Sequence, residues 1–217
     1  MIRVIVADDH NLVRQGIRAL LDKADDIEVV GEAGDGQAAI ELVERLSPDV
    51  LVTDISMPRL NGTQTIERLH SMQSPTRVII LSMYSDETVV RQALRSGAKG
   101  YLLKNSLTEE LLLAVRAAYR NETYLSPSIS SAIVNDLLAS QVGTQESDPF
   151  DRLSTRELEV LQLIAEGNTN SDISQLLNVS IKTVEKHRSN LMSKLAVHDL
   201  ASLIRVAIKH GLIFIDQ

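Results

Sequence analysis

Five polar residues stand where short apolar runs end. Asp8 and Asp9 follow Ile2 to Ala7, Asp54 follows Val50 to Thr53, Ser82 follows Arg77 to Leu81, and Lys104 follows Gly100 to Leu103. If those runs are parallel strands of one sheet, all five groups meet beyond its carboxyl edge, where open α/β sheets bind their ligands. Carboxylates gathered there repel one another and are best tolerated around a cation. Oxygen ligands with open positions suit Mg²⁺, which keeps several waters and one or two carboxylates beside phosphate oxygens. A carboxylate flanked by such an ion, a lysine and a hydroxyl is suited to accept a phosphoryl group as an aspartyl phosphate. Lys104 would pair with the phosphoryl oxygens, and Ser82 would donate to one of them. A single Asp at a strand end is ordinary turn or cap chemistry. Five such groups at successive strand ends are not.

The elements that must position these groups are legible in two periodicities. Ile2 to Val6, Glu28 to Gly31, Val50 to Val52, Arg77 to Leu81 and Gly100 to Leu103 are the near-continuous apolar runs of strands buried on both faces. Helix-period stretches separate them. Leu12, Ile17, Leu20 and Leu21 are expected to share one face, as are Ala39, Leu42, Val43 and Leu46, and then Leu111, Leu112, Val115 and Tyr119. This alternation predicts an α/β doubly wound, parallel five-stranded sheet over residues 1–122, with right-handed crossovers.

The pattern then changes. Residues 123–149 read as a linker with a helix over Ser128 to Ala139, ending in the polar, aperiodic stretch Ser140 to Pro149. Residues 150–217 read as a small all-α, four-helix domain. Ser154-Thr155-Arg156-Glu157 has the S-x-x-E form of a capping box, ahead of Leu158, Leu161, Leu163 and Ile164. Gly167 closes that helix. Ile173, Leu176 and Leu177 mark a second, Asn178-Val179-Ser180 turns into a third with Val184, Leu191 and Leu195 inward, and Asp199 to His210 forms a fourth, stopped by Gly211.

Composition bounds the function. With 44% hydrophobic and 24% charged residues the chain is ordinarily globular, and no apolar run approaches the roughly 18 residues of a membrane span. The opening Met1 to Ala7 runs straight into Asp8-Asp9, unlike a secretory signal. Cysteine is absent, so no thiol chemistry or disulfide framework is available, which fits a cytoplasmic location. The net charge of -7 argues against nucleic acid at first sight. Between Ser180 and Lys194, however, Lys182, Lys186, Arg188 and Lys194 face only Glu185, a local basic footprint on an acidic chain.

The segments Val4-Ile5-Val6-Ala7-Asp8-Asp9-His10, Pro48 to Pro58 with Gly62, Ile80-Leu81-Ser82 and Gly97 to Lys104 resemble response-regulator receiver domains, over roughly residues 2–120. The resemblance implies a flavodoxin-like fold with Asp54 as phosphoacceptor. It implies Asp9, Asp54 and the Ser56 backbone carbonyl as direct Mg²⁺ ligands, with Asp8 acting through water. Ser82 and Tyr101 would form a switch pair, the hydroxyl moving toward the phosphoryl group and the ring turning inward. Asn105 follows the lysine where many receivers carry proline, which leaves the geometry of that loop open.

Leu153 to Leu161, Asn170 to Ile173 and Val179 to Leu191 resemble the LuxR-type helix-turn-helix, and with the receiver the chain resembles the NarL/FixJ subfamily. The third helix would then lie in the major groove with its N-terminal half at the base edges. Lys182, Thr183, Glu185, Lys186, Arg188, Ser189, Asn190 and Lys194 are the candidate DNA contacts, with Lys182, Arg188 and Lys194 suited to phosphates. Ser171-Asp172 stands where the family usually has Lys-Glu, one positive charge fewer. The resemblance implies a sensor histidine kinase, promoter DNA and a second copy of the chain as partners, with RNA polymerase a further candidate. The last helix is expected to contribute to dimer contact.

Other readings of the same residues diverge from this at identifiable points. A phosphatase or phosphotransferase with an aspartyl intermediate often has an acid two residues after its nucleophile, where Ser56 stands. A regulator of the same fold driven by ligand or partner alone has no need of the complete acidic cluster. Gly31-Glu32-Ala33-Gly34-Asp35-Gly36 has neither the spacing nor the lysine of a nucleotide loop, so no kinase activity is expected.

Overall fold

The β-branched runs do pair as parallel strands, because only a sheet covered on both faces buries them completely. The structure, a computed structural model, describes residues 1–131, 133 and 149–213. The chain divides into two compact units, 1–142 and 143–217. In the first, β1 (Ile2–Ala7), β2 (Ile27–Ala33), β3 (Val50–Asp54), β4 (Arg77–Ser82), β5 (Gly100–Leu103) and β6 (Tyr124–Leu125) form one sheet in the order β2-β1-β3-β4-β5-β6. Every described pairing is parallel.

Helices α1 (Asn11–Leu21) and α5 (Leu107–Tyr119) pack together on one face. Helices α2 (Gly36–Leu46), α3 (Gly62–Ser71) and α4 (Glu87–Ser96) adjoin one another in turn. Val4, Val6, Val50, Val52, Ile79 and Leu81 alternate onto the α1/α5 side and join Ile17, Leu21, Leu111 and Val115 in a core without solvent access. Asp35, Asn61 and Asp86 each cap a helix with a side-chain oxygen.

The sheet has six strands where five were expected. Tyr124 and Leu125, which read as linker, add a two-residue strand against Gly100 and Tyr101. Such a short strand carries no alternation to detect. Ser126 continues the attachment: its N–H donates to the Tyr101 carbonyl at 3.1 Å, and its hydroxyl bonds Glu110. Residues 127–131 and 133 are helical, and the rest of the expected linker helix and linker falls outside the described residues. Two apolar faces also differ. Leu12 is 82% exposed and Tyr119 is also exposed. At about 100° per residue Val13 and Ala118, one position away, complete the stripes through Ile17 and Val115.

The second unit holds α6 (Thr155–Ala165), α7 (Asn170–Leu176), α8 (Ile181–Lys194) and α9 (Leu200–Lys209), after a 3-10 turn at Pro149–Arg152. The Ser154/Glu157 capping box is present, and Thr169 and Asp172 form another at the start of α7. Leu158, Leu161, Ile173, Val184, Leu191 and Leu203 form the core. Of the two leucines expected inward, Leu177 packs on the core and Leu176 is 51% exposed. Asn178 takes a left-handed φ of 51° at the turn between α7 and α8.

Gly36 opens α2 against the loop after β3, where an added Cβ would collide with the Leu60 carbonyl and Thr65 Oγ1. Gly36→Ala is expected to destabilise the first unit by about 1–3 kcal/mol, read as a lower midpoint in urea for its unfolding transition.

Candidate functional site

The register of the sheet brings the strand ends level, Ala7 with Thr53, Asp54 with Leu81 and Ser82 with Leu103. The groups singled out by sequence therefore converge at one edge. Asp54 is 4% exposed and Asp8 fully buried. Lys104 begins a 3-10 turn, Lys104–Ser106, and reaches back across β4. Its Nζ donates to Asp54 Oδ2 at 2.8 Å and lies 2.8 Å from Asp8 Oδ2. The second contact is an ion pair of the same length, so one ammonium serves both buried carboxylates. Asn105 in place of proline thus leaves the lysine well placed.

Electrostatics favours different outcomes for the two partners. Burial pushes the Asp54 carboxyl up to about 6, against the pull of Lys104, with Asp8 adding to the rise. The Ser56 backbone N–H bonds the carboxylate and opposes that rise. For Lys104, burial alone would favour the neutral amine, but the two carboxylates outweigh it and hold the ammonium above its ordinary range.

Asp8, Asp9, His10 and Asp54 each offer a ligand atom, all within 4.8 Å of one another. Three carboxylates gathered around one ammonium, with hard oxygen donors, fit a divalent cation such as Mg²⁺. His10 was not singled out from sequence. Its Nδ1 lies 2.8 Å from Asp9 Oδ1 and its backbone N–H donates to Asp8 Oδ1 at 2.8 Å. Its position directly after the acidic pair was the only available signal.

Ser82 is buried, and its Oγ accepts from the Tyr84 N–H at 2.9 Å. Tyr101 lies beneath it with the ring fully buried, its hydroxyl donating to the Tyr84 carbonyl at 3.0 Å. Burial raises the phenol above its ordinary range while a bond with Ser82 opposes that. The ring expected to turn inward on phosphorylation is already inward here.

In the second unit α8 carries the candidate DNA contacts, but several are occupied. Thr183 bonds Ser180 at the helix start at 2.8 Å, and Arg188 bonds Asn170 of α7 at 3.3 Å. Lys194 lies 2.6 Å from the buried Glu157 and donates to the Arg152 carbonyl at 3.0 Å. Arg156 bridges Glu159 and the Leu177 carbonyl, which fixes the turn ahead of α8. Asp172, in place of the usual Glu, is used in its cap with Thr169. Lys182, Glu185, Lys186, Ser189 and Asn190 are solvent-exposed.

Comparison with known proteins bears on both units. Residues 4–116 match the response regulator receiver domain, and residues 151–207 match the bacterial regulatory proteins, luxR family. The chain is 41% identical over 214 residues to the oxygen regulatory protein NreC of Staphylococcus carnosus, covering 97% of this chain and 99% of that one. Among solved structures it is similar to the RcsB response regulator of Salmonella typhimurium, with 31% identity, a TM-score of 0.59, and 94% and 97% of the two chains covered. It is also similar to the response regulator ChrA of a heme-sensing two-component system, with 35% identity, a TM-score of 0.53 and 98% of each chain covered.

A carboxyl whose pKa rises on folding destabilises the protein as pH increases through that value, because the folded state gives up its proton less readily. Asp54→Asn is therefore expected to stabilise the metal-free first unit at pH 7.5, by on the order of 1–3 kcal/mol. The advantage should shrink as pH falls through about 6 toward 4, measured by urea unfolding across that range. In the second unit, Lys194→Met leaves Glu157 without its cation. It should cost about 1–3 kcal/mol of stability, whereas Lys182→Ala should leave the unfolding midpoint unchanged.

Proposed function

The chain belongs to the two-component response regulators that join a receiver domain to a LuxR-type helix-turn-helix, DNA-binding regulators of transcription, and on that premise we propose that Asp54 is the phosphoacceptor controlling its binding to promoter DNA. The observation that carries this reading is Lys104 Nζ at 2.8 Å from both Asp54 and Asp8 at the carboxyl edge of the sheet. A phosphoryl group arriving on Asp54 needs a fixed cation on its far side, and the lysine is already there. A sensor histidine kinase is the donor, and an Asp54 oxygen forms the new bond to phosphorus as the bond to the donor breaks.

Asp8, Asp9, Asp54 and the Ser56 carbonyl are the groups to hold Mg²⁺, with His10 alongside. The ion would offset the negative charge of the acceptor and of the incoming phosphoryl oxygens. Lys104 orients the acceptor oxygen and then pairs with a phosphoryl oxygen. Ser82 donates to another once its hydroxyl turns from the Tyr84 amide. That turn alters the hydroxyl's bonding to Tyr101, and phosphorylation acts by favouring one of two arrangements of this region. The output is a second copy of the chain bound with the first on DNA. Dimers of RcsB bound to DNA support this reading. With such an output the chain is a cytoplasmic regulator whose only phosphate chemistry is accepting and losing its own phosphoryl group.

Incubating the protein with Mg²⁺ and a small-molecule phosphodonor tests this, with intact mass and oligomeric state followed together. A phosphoryl adduct on the wild type and none on Asp54→Ala, with a shift toward dimer, is the expected outcome. A wild type that takes up no phosphoryl group would sink the assignment of Asp54.

A further inference from the structure

On α8 the angular positions of the side chains separate into two sets. At about 100° per residue, Lys182, Glu185, Lys186 and Ser189 fall within one sector, opposite Val184 and Leu191, which are fully buried. Among the described residues, Glu185, Lys186 and Ser189 have no hydrogen-bond or ion-pair partner, whereas Thr183, Arg188 and Lys194 spend their polar groups inside the domain. The residues left free to meet a ligand are thus a basic pair around one carboxylate. That carboxylate is the anomaly. In a face that approaches phosphates, an unpaired negative charge opposes binding wherever it finds no donor.

Glu185 and Lys186 are adjacent and point about 100° apart, so within a groove they address neighbouring base edges. A carboxylate only accepts. In the major groove its donors are the amino groups of cytosine and adenine, and adenine sets an acceptor nitrogen beside its amino group whereas cytosine does not. An ammonium only donates, and guanine presents two acceptors to it. We infer that Glu185 and Lys186 together read a cytosine·guanine pair in each half-site, Glu185 accepting from the cytosine amino group and Lys186 donating to guanine. Glu185 is then the specificity-determining residue of the domain. It lowers affinity for DNA lacking that pair, and Lys182 supplies attraction without choice.

The inference rests on the DNA-binding reading above, and the test keeps the two apart. Random-sequence duplexes are selected with the full-length chain, Mg²⁺ and acetyl phosphate, using wild type, Glu185→Ala and Glu185→Gln. The side chain is exposed, so both variants should keep the wild-type unfolding midpoint. The wild type should enrich a cytosine·guanine pair at one position of each half-site. Glu185→Gln should move that position toward adenine·thymine, since an amide both donates and accepts. Glu185→Ala should weaken the preference without abolishing it, since Lys186 still favours guanine, with discrimination falling roughly 5- to 150-fold there and nowhere else, while affinity for unselected DNA rises. A selected sequence identical in all three proteins would overturn the inference and leave DNA binding intact. So would a Glu185-dependent position already occupied by adenine in the wild type. No enrichment by the wild type would overturn the DNA-binding reading itself.

Discussion

The receiver is organised around one ammonium group held between two buried carboxylates. Lys104 leaves β5, while Asp54 ends β3 and Asp8 follows β1, with β4 lying between the lysine and its partners. Strands sit about 4.8 Å apart, so the ammonium has to cross the width of β4 to reach Asp54. A long, flexible side chain with a compact charged end does this. A shorter one would leave two buried charges uncompensated, which costs several kcal/mol. The order β2-β1-β3-β4-β5-β6 is therefore tied to chemistry as well as to packing. A one-residue slip in register between β3 and β4 would carry Asp54 to the other face of the sheet.

That arrangement is not fully balanced. Asp8, Asp9 and Asp54 outnumber the single lysine, and burial still holds Asp54 above its ordinary range. The imbalance suits the site to the ligands proposed for it. A cation would relieve the surplus of negative charge, and a phosphoryl group would then find the lysine already in place. A perfectly neutralised cluster would be more stable and would have less reason to bind either. Stability given up at a site for the sake of binding is a common pattern.

Much of this was legible in the sequence, for a physical reason. Strands buried on both faces leave continuous apolar runs, and a polar residue ending such a run has to be at a sheet edge. Asp8, Asp54, Ser82 and Lys104 could be placed together by that argument alone. What was not legible depended on single-residue differences or on bonds made across the fold. Leu12 and Val13 are both apolar, and only the phase of α1 decides which one faces the core. The strand Tyr124–Leu125 is too short to show a period. Its docking depends on hydrogen bonds of Ser126 with Tyr101 and Glu110 that no local pattern reveals. The inward position of Tyr101 is likewise a matter of packing.

The second domain shows why a count of basic residues is a poor guide to DNA affinity. Of the cations on α8, Lys194 neutralises the buried Glu157 and Arg188 bonds α7, so both serve the fold. Lys182 and Lys186 remain, set against Glu185. Non-specific affinity grows with the number of phosphates neutralised, each contributing about 0.9 to the slope of log affinity against log salt. Two free cations on the reading helix of one copy give little at ordinary salt. A second copy doubles the contacts and makes their binding effectively intramolecular. The charge distribution of this domain is thus one in which a second copy would add most to affinity, as the proposed control through dimerisation requires. A helix that bound tightly as a monomer would leave the receiver nothing to regulate.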